Sequence, residues 1–159
     1  MGLNTRACGL GVATFLATAC AWADSSQQEH IHHLSHGVMP FDMSKTVHIF
    51  NMTERGGEER VVTRVEGADD QIALIQHHLQ QEAVRFGRGD YSDPVTLHGA
   101  EMPGLKELQE GHAHIKVSYK ALPNGAAITF ETADLHMLTA VHRWFGAQLS
   151  EHGADAKAE

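Results

Sequence analysis

The stretches VHIFNMTERGGEERVVT (47–63) and IKVSYKALPNGAAITFE (115–131) follow the same plan. Each has a run rich in β-branched and aromatic residues, then a turn carrying glycine, then a second such run. Gly56-Gly57 and Pro123-Asn124-Gly125 punctuate these runs as the turns of two β-hairpins. Each hairpin is followed by a segment that opens on aspartate and continues with apolar residues at helical spacing. DDQIALIQHHLQQEAVRF (69–86) spaces Ile72, Ile75, Leu79, Ala83 and Phe86 along one stripe, and DLHMLTAVHRWFGAQLSEHG (134–153) does the same with Leu135, Leu138, Val141, Phe145 and Leu149.

Aligned end to end, with Asp70 opposite Asp134, the two halves form an internal repeat in which His78 falls opposite His142. The expected fold is α+β, with duplicated ββα units forming a four-stranded antiparallel sheet with two helices on one face. Alternation along the strands puts Val47, Ile49, Ile115 and Val117 towards the helices, and His48, Phe50 and Met52 on the open face. That open face is expected to receive the N-terminal arm or a second copy in a homodimer. Between the halves, GRGDYSDPVTLHGAEMPG reads as a loop rich in glycine, aspartate and proline, with a helical turn in LKELQEG.

The N-terminus carries Arg6, an apolar run around GLGVATFLATA, and Ala21-Trp22-Ala23 ahead of Asp24, the pattern of a secretory signal peptide over 1–23. Lipid attachment at Cys20 is the weaker alternative, because Ala17 rather than leucine precedes it by three residues. Residues 24–37 read as a flexible His-rich arm, 38–153 as a single α+β domain and 154–159 as a frayed tail. Both cysteines lie in the leader, so the exported chain has neither thiol chemistry nor disulfides to work with. Cleavage leaves 11 Lys/Arg against 20 Asp/Glu, a net charge of −9, which argues against a nucleic-acid partner. Beyond the leader, no run approaches the ~20 apolar residues of a membrane span.

Thirteen histidines in 159 residues are the outstanding feature of composition. Without cysteine, a borderline or soft metal must be held by imidazole and thioether, a pairing that favours copper. Met39 follows His36 by three residues in HGVMP, and Met102 follows His98 by four in HGAEMP. The same methionines read more readily as core-edge packing, since the flexible thioether fills irregular gaps. His142 falls on the apolar stripe of the last helix, either as a hydrogen-bonded core histidine or as a ligand. His78 flanks its helix's apolar face, and His48 sits in the first strand. The candidate metal ligands are therefore His36, Met39, His48, His78, His98, Met102 and His142, whereas His112, His114, His136 and His152 read as solvated.

The segments HGVMPFD, TVHIFNMTERGGEERVV, RGDYSDPVTLHGAEMPGL and HRWFGAQLSEHGADA resemble a group of short exported bacterial proteins that commonly carry the label aspartate carbamoyltransferase. The label does not suit this chain. A carbamoyltransferase has two domains and a Ser-Thr-Arg-Thr type loop for carbamoyl phosphate, and this sequence has no such loop. The resemblance therefore implies no catalytic residue.

Three functional classes follow from the residues. The first is a periplasmic metal-binding protein, for copper above zinc, that captures, stores or delivers an ion and exchanges it with another periplasmic carrier. The second is a metal- or histidine-dependent enzyme with Asp90 or Asp93 as proton acceptor, and the third a binder of haem or another organic ligand through His78 or His142. HGVMP, HGAEMP and His142 are expected to converge on the site.

Overall fold

The structure is a computed structural model and describes residues 29–159. The leader and residues 24–28 of the arm lie outside the described residues. The fold is α+β. Residues 29–35 form a first helix, α1. The strands β1 (Thr46–Thr53) and β2 (Gly56–Thr63) precede α2 (Asp69–Phe86). Two short helices follow, α3 (Ser92–His98) and α4 (Leu105–Gly111). The chain then enters β3 (Lys116–Leu122), β4 (Gly125–Glu131), the long α5 (Leu135–His152) and a terminal strand β5 (Ala156–Ala158).

The sheet has five strands in the order β3-β4-β2-β1-β5, antiparallel throughout except that β5 runs parallel to β1. The fifth strand corrects the expected four-stranded antiparallel sheet, and α1, α3 and α4 add to the expected two helices. β1 leaves one edge unpaired, and an open edge recruits any extended segment that reaches it. Here that segment is the C-terminal tail, held by Glu159 N donating to Phe50 O (3.1 Å), by an Arg60–Glu159 ion pair and by Arg64 Nη2 donating to Ala154 O (3.0 Å).

α2 and α5 cover the same face, each lying over the hairpin it does not follow: α2 over β4 and β3, α5 over β2, β1 and β5. Both hairpin turns have two residues, since Thr53 pairs with Gly56 and Leu122 with Gly125. Matching turn to turn sets His48 opposite Val117 and Phe50 opposite Tyr119, one residue away from the end-to-end alignment. A slip of one residue reverses the face of every side chain in a strand. His48 and Phe50 accordingly point into the helix layer, with Phe50 fully buried against Phe145 at 5.0 Å between ring centroids. The opposite face carries charge, including Arg60 beside Glu58 (3.4 Å) and Lys116 beside Glu131 (3.4 Å).

The last helix also sits differently from its apolar stripe. Asp134 caps it, accepting from the amides of His136 (2.7 Å) and Met137 (3.3 Å). Its buried face is Met137, Val141, Trp144, Phe145, Gln148 and His152, whereas Leu135 is 77% exposed. Trp144, the largest of these side chains, sets that rotation, because it meets Phe86, Tyr91 and Phe130 edge-on at 5.5–5.7 Å. Gly104 marks the tightest crossing: α4 approaches α5 so closely that a Cβ there would collide with the Ala140 carbonyl, and its φ of +84° is one that glycine adopts without strain.

Candidate metal centre in a polar cavity

The helix face of the sheet does not close completely on α2 and α5. A cavity of about 40 Å3 remains between β1, β2, β4, α2, α3 and α5, with Met39 and Phe41 of the entering segment along one side. It has room for an ion or a few waters, and is far below the ~300–1,000 Å3 of pockets that take drug-sized ligands. Leu79, Phe86, Leu97, Ile128 and Trp144 make its walls apolar. Into this space project His48 and Glu59 from the strands, His78 and Glu82 from α2, Asp93 and His98 from α3, and Gln148 from α5.

α3 makes this arrangement possible. Proline and glycine around SDPVTLH suggest a loop, but Pro94 occupies the first turn, where its missing N–H costs no intrahelical bond. The helix carries Asp93 at one end and His98 at the other. His78 and Glu82 lie one turn apart on α2, a spacing that sets two side chains side by side. Asp93 faces them, and one ligand atom from each of His78, Glu82 and Asp93 lies within 4.8 Å of the others. Among the described residues this is the group of histidine and carboxylate ligands that closes tightly enough for one ion.

Arg85 completes the cluster from outside. Its Nη1 donates to Glu82 Oε1 (2.9 Å) and Asp93 Oδ2 (2.8 Å), bridging the two carboxylates. Burial pushes the Glu82 carboxyl up to about 7, with Arg85 opposing and Asp93 reinforcing the shift. Burial, with the Glu82 charge adding to it, pushes Glu59 up to about 8. Burial likewise lowers His78, against the pull of Asp93, so its ring is neutral and offers a lone pair at neutral pH.

Deeper in, three imidazoles adjoin one another. His152 stacks on His48 at 5.0 Å and meets His98 edge-on at 4.9 Å. Burial holds all three neutral, His48 well below its ordinary value, His98 down at about 4 and His152 at about 3. His98 stays neutral even though Glu151 Oε2 lies 2.7 Å from its Nδ1. In the tautomer that donates this bond, Nε2 keeps its lone pair, the arrangement by which a carboxylate orients a metal-binding histidine. His48 Nδ1, both nitrogens of His152 and Gln148 Nε2 are buried without a hydrogen-bond partner in the protein. Each such atom costs ~1–3 kcal/mol.

No protein-family model, curated protein or solved structure matches this chain significantly. Its function is therefore read from its own residues.

Of the residues singled out by sequence, the fold brings Met39, His48, His78 and His98 to the cavity. His36 is exposed in the turn that follows α1, Met102 is buried in the hydrophobic core, and neither lines the cavity. His142 does not join them either: its Nε2 lies 2.8 Å from Gly56 O and 3.0 Å from Thr53 O, so it braces the β1–β2 turn. HGVMP and HGAEMP thus do meet at the cavity, through Met39 and His98, but without His142 and without His36 or Met102. His152, expected to be solvated, is 1% exposed. The sequence pattern does not mark Glu59, Glu82 or His152 as site residues, and it marks Asp93 only as a proton acceptor. The spacing of His78 and Glu82, four apart on a helix, was the available signal. The face shared by Glu59 and Val61 was another, once the strand register is taken from the turns.

Proposed function

We propose that this chain is an exported, periplasmic metal-binding protein that holds one divalent transition-metal ion at His78, Glu82 and Asp93. The observation that carries this reading is the convergence of one neutral imidazole and two carboxylates within 4.8 Å at the edge of a buried cavity. A donor set of one nitrogen and carboxylate oxygens suits Cu2+ or Zn2+, and copper(II) heads the affinity order for such ligands. It does not suit Cu+, whose thioether ligands would have come from Met39 and Met102. The small cavity disfavours haem. Arg85 Nη1 bridges the two carboxylates, and a bound ion would take over that role as their counter-charge. Glu82 would give up its proton to act as a ligand, so uptake would release protons near neutral pH.

The test is the number of Cu2+ or Zn2+ equivalents bound by the mature chain at pH 7.5. His78→Ala and Asp93→Asn each remove one equivalent, whereas His142→Ala removes none. If His78→Ala and Asp93→Asn bind as many ions as the parent, the reading fails. The raised carboxyls favour a second reading, in which Glu59 and Glu82 exchange protons with a very small substrate as general acid and base. Its discriminator is an open coordination position on the bound ion.

A further inference from the structure

A second cluster lies outside the cavity, where α1 meets the C-terminal segment. α1 is anchored by Ile31 and Ser35, each 1% exposed, and this fixes its remaining faces. His32 and His36, one turn apart, have ring centroids 5.4 Å apart and planes at 83°. Two imidazoles bound to one zinc ion through nitrogens at about 2.0–2.1 Å hold their centroids about 5 Å apart, with the rings fanning out from the ion. A third group comes from the other end of the chain. Arg64 Nη2 holds Oδ1 of Asp155 at 3.2 Å, which turns Oδ2 towards His32 Nδ1, 4.0 Å away. Ligand atoms around one tetrahedral zinc lie about 3.4 Å apart. Without an ion these three groups stand further apart than those of His78, Glu82 and Asp93, and side-chain rotation at His36 and Asp155 brings them together on the ion. Glu29, His32, His33, His36 and Asp155 line a concavity of about 310 Å3 open to solvent.

We propose that His32, His36 and Asp155 form a surface site for a Zn2+-class divalent ion, which clamps α1 to the segment before β5. Glu29 and His33 at its rim stand ready to supply a fourth ligand in place of water, and Arg64 is the cation facing it. The site does not rest on the cavity centre: His32 on α1 and His36 in the turn that closes it come side by side only when the helix is formed, and the tail that forms β5 brings the carboxylate.

Zinc titration calorimetry on the mature chain separates the two sites. The double variant His32→Ala/His36→Ala loses one Zn2+ equivalent and keeps the equivalent that His78→Ala removes. Asp155→Asn keeps both equivalents but weakens the surface one by about tenfold, because a charged ligand is lost. Thermal unfolding of the zinc-free variants verifies that these exposed substitutions leave the fold intact. Unchanged stoichiometry in the double variant overturns the site. Unchanged affinity in Asp155→Asn overturns the clamp between the two chain ends.

Discussion

Glu59 sits on a central strand, faces the helix layer and is 9% exposed. Its carboxyl is held at about 8 against an ordinary 4.5, chiefly by burial. The folded chain therefore keeps a proton that the unfolded chain gives up between those values. Stability contributed by the protonated form is fully present below pH 4.5 and is lost as pH rises through 8. At 1.36 kcal/mol for each pH interval, the loss comes to roughly 5 kcal/mol, a large share of an ordinary domain's stability. Glu59→Gln preserves the shape and removes the titration. Any fixed gain or loss from its amide is the same at every pH, so the pH dependence of the difference isolates the carboxyl. Urea unfolding of the metal-free proteins from pH 4 to pH 9 should show the variant gaining roughly 5 kcal/mol on the parent over that range. A difference that stays flat would mean that Glu59 ionises as it does in water, and the buried polar cavity would lose its main electrostatic support.

Three further outcomes follow from the same cavity. His152 is held at about 3 by burial, against an ordinary 6.5, so its stabilising contribution is present above pH 6.5 and is lost as pH falls towards 3. His152→Phe keeps the stacking on His48 and should move the acid-unfolding midpoint to lower pH, an advantage of up to about 5 kcal/mol over that interval. Arg85→Gln removes the cation that bridges Glu82 and Asp93, and should tighten Cu2+ or Zn2+ binding by about tenfold in competition titrations. Weaker binding in that variant would show that Arg85 positions the carboxylates more than it repels the ion. Asp134→Ala removes the cap of α5 and should cost about 1 kcal/mol in unfolding free energy, with no change in metal stoichiometry.

Most of the elements could be read from the residues, because hairpin turns and helical spacing are local signals. What went astray was rotation and register. The two hairpins align by their turns, not by their ends, and the one-residue difference turned His48 and Phe50 from the open face to the core. In α5, Leu135, Leu138 and Leu149 outline one stripe, but the bulk of Met137 and Trp144 selects its neighbour, which carries Gln148 and His152 inward. Neither β5 nor α3 has a periodic signal of its own: β5 forms because β1 has an edge to pair, and α3 forms around a proline that only its first turn tolerates. His48, His78 and His98 were visible in the sequence as site residues, whereas His152 and most of the carboxylates were not. Glu82 and Glu59 resemble ordinary surface acids until the fold turns both towards the same cavity.

Diffraction at the zinc absorption edge, from crystals of the mature chain grown with Zn2+, tests the central claim most directly. The account predicts an anomalous peak about 2 Å from a ring nitrogen of His78 and from carboxylate oxygens of Glu82 and Asp93, with Arg85 swung away. A cavity without such a peak, with Arg85 still bridging Glu82 and Asp93 at saturating zinc, would contradict it.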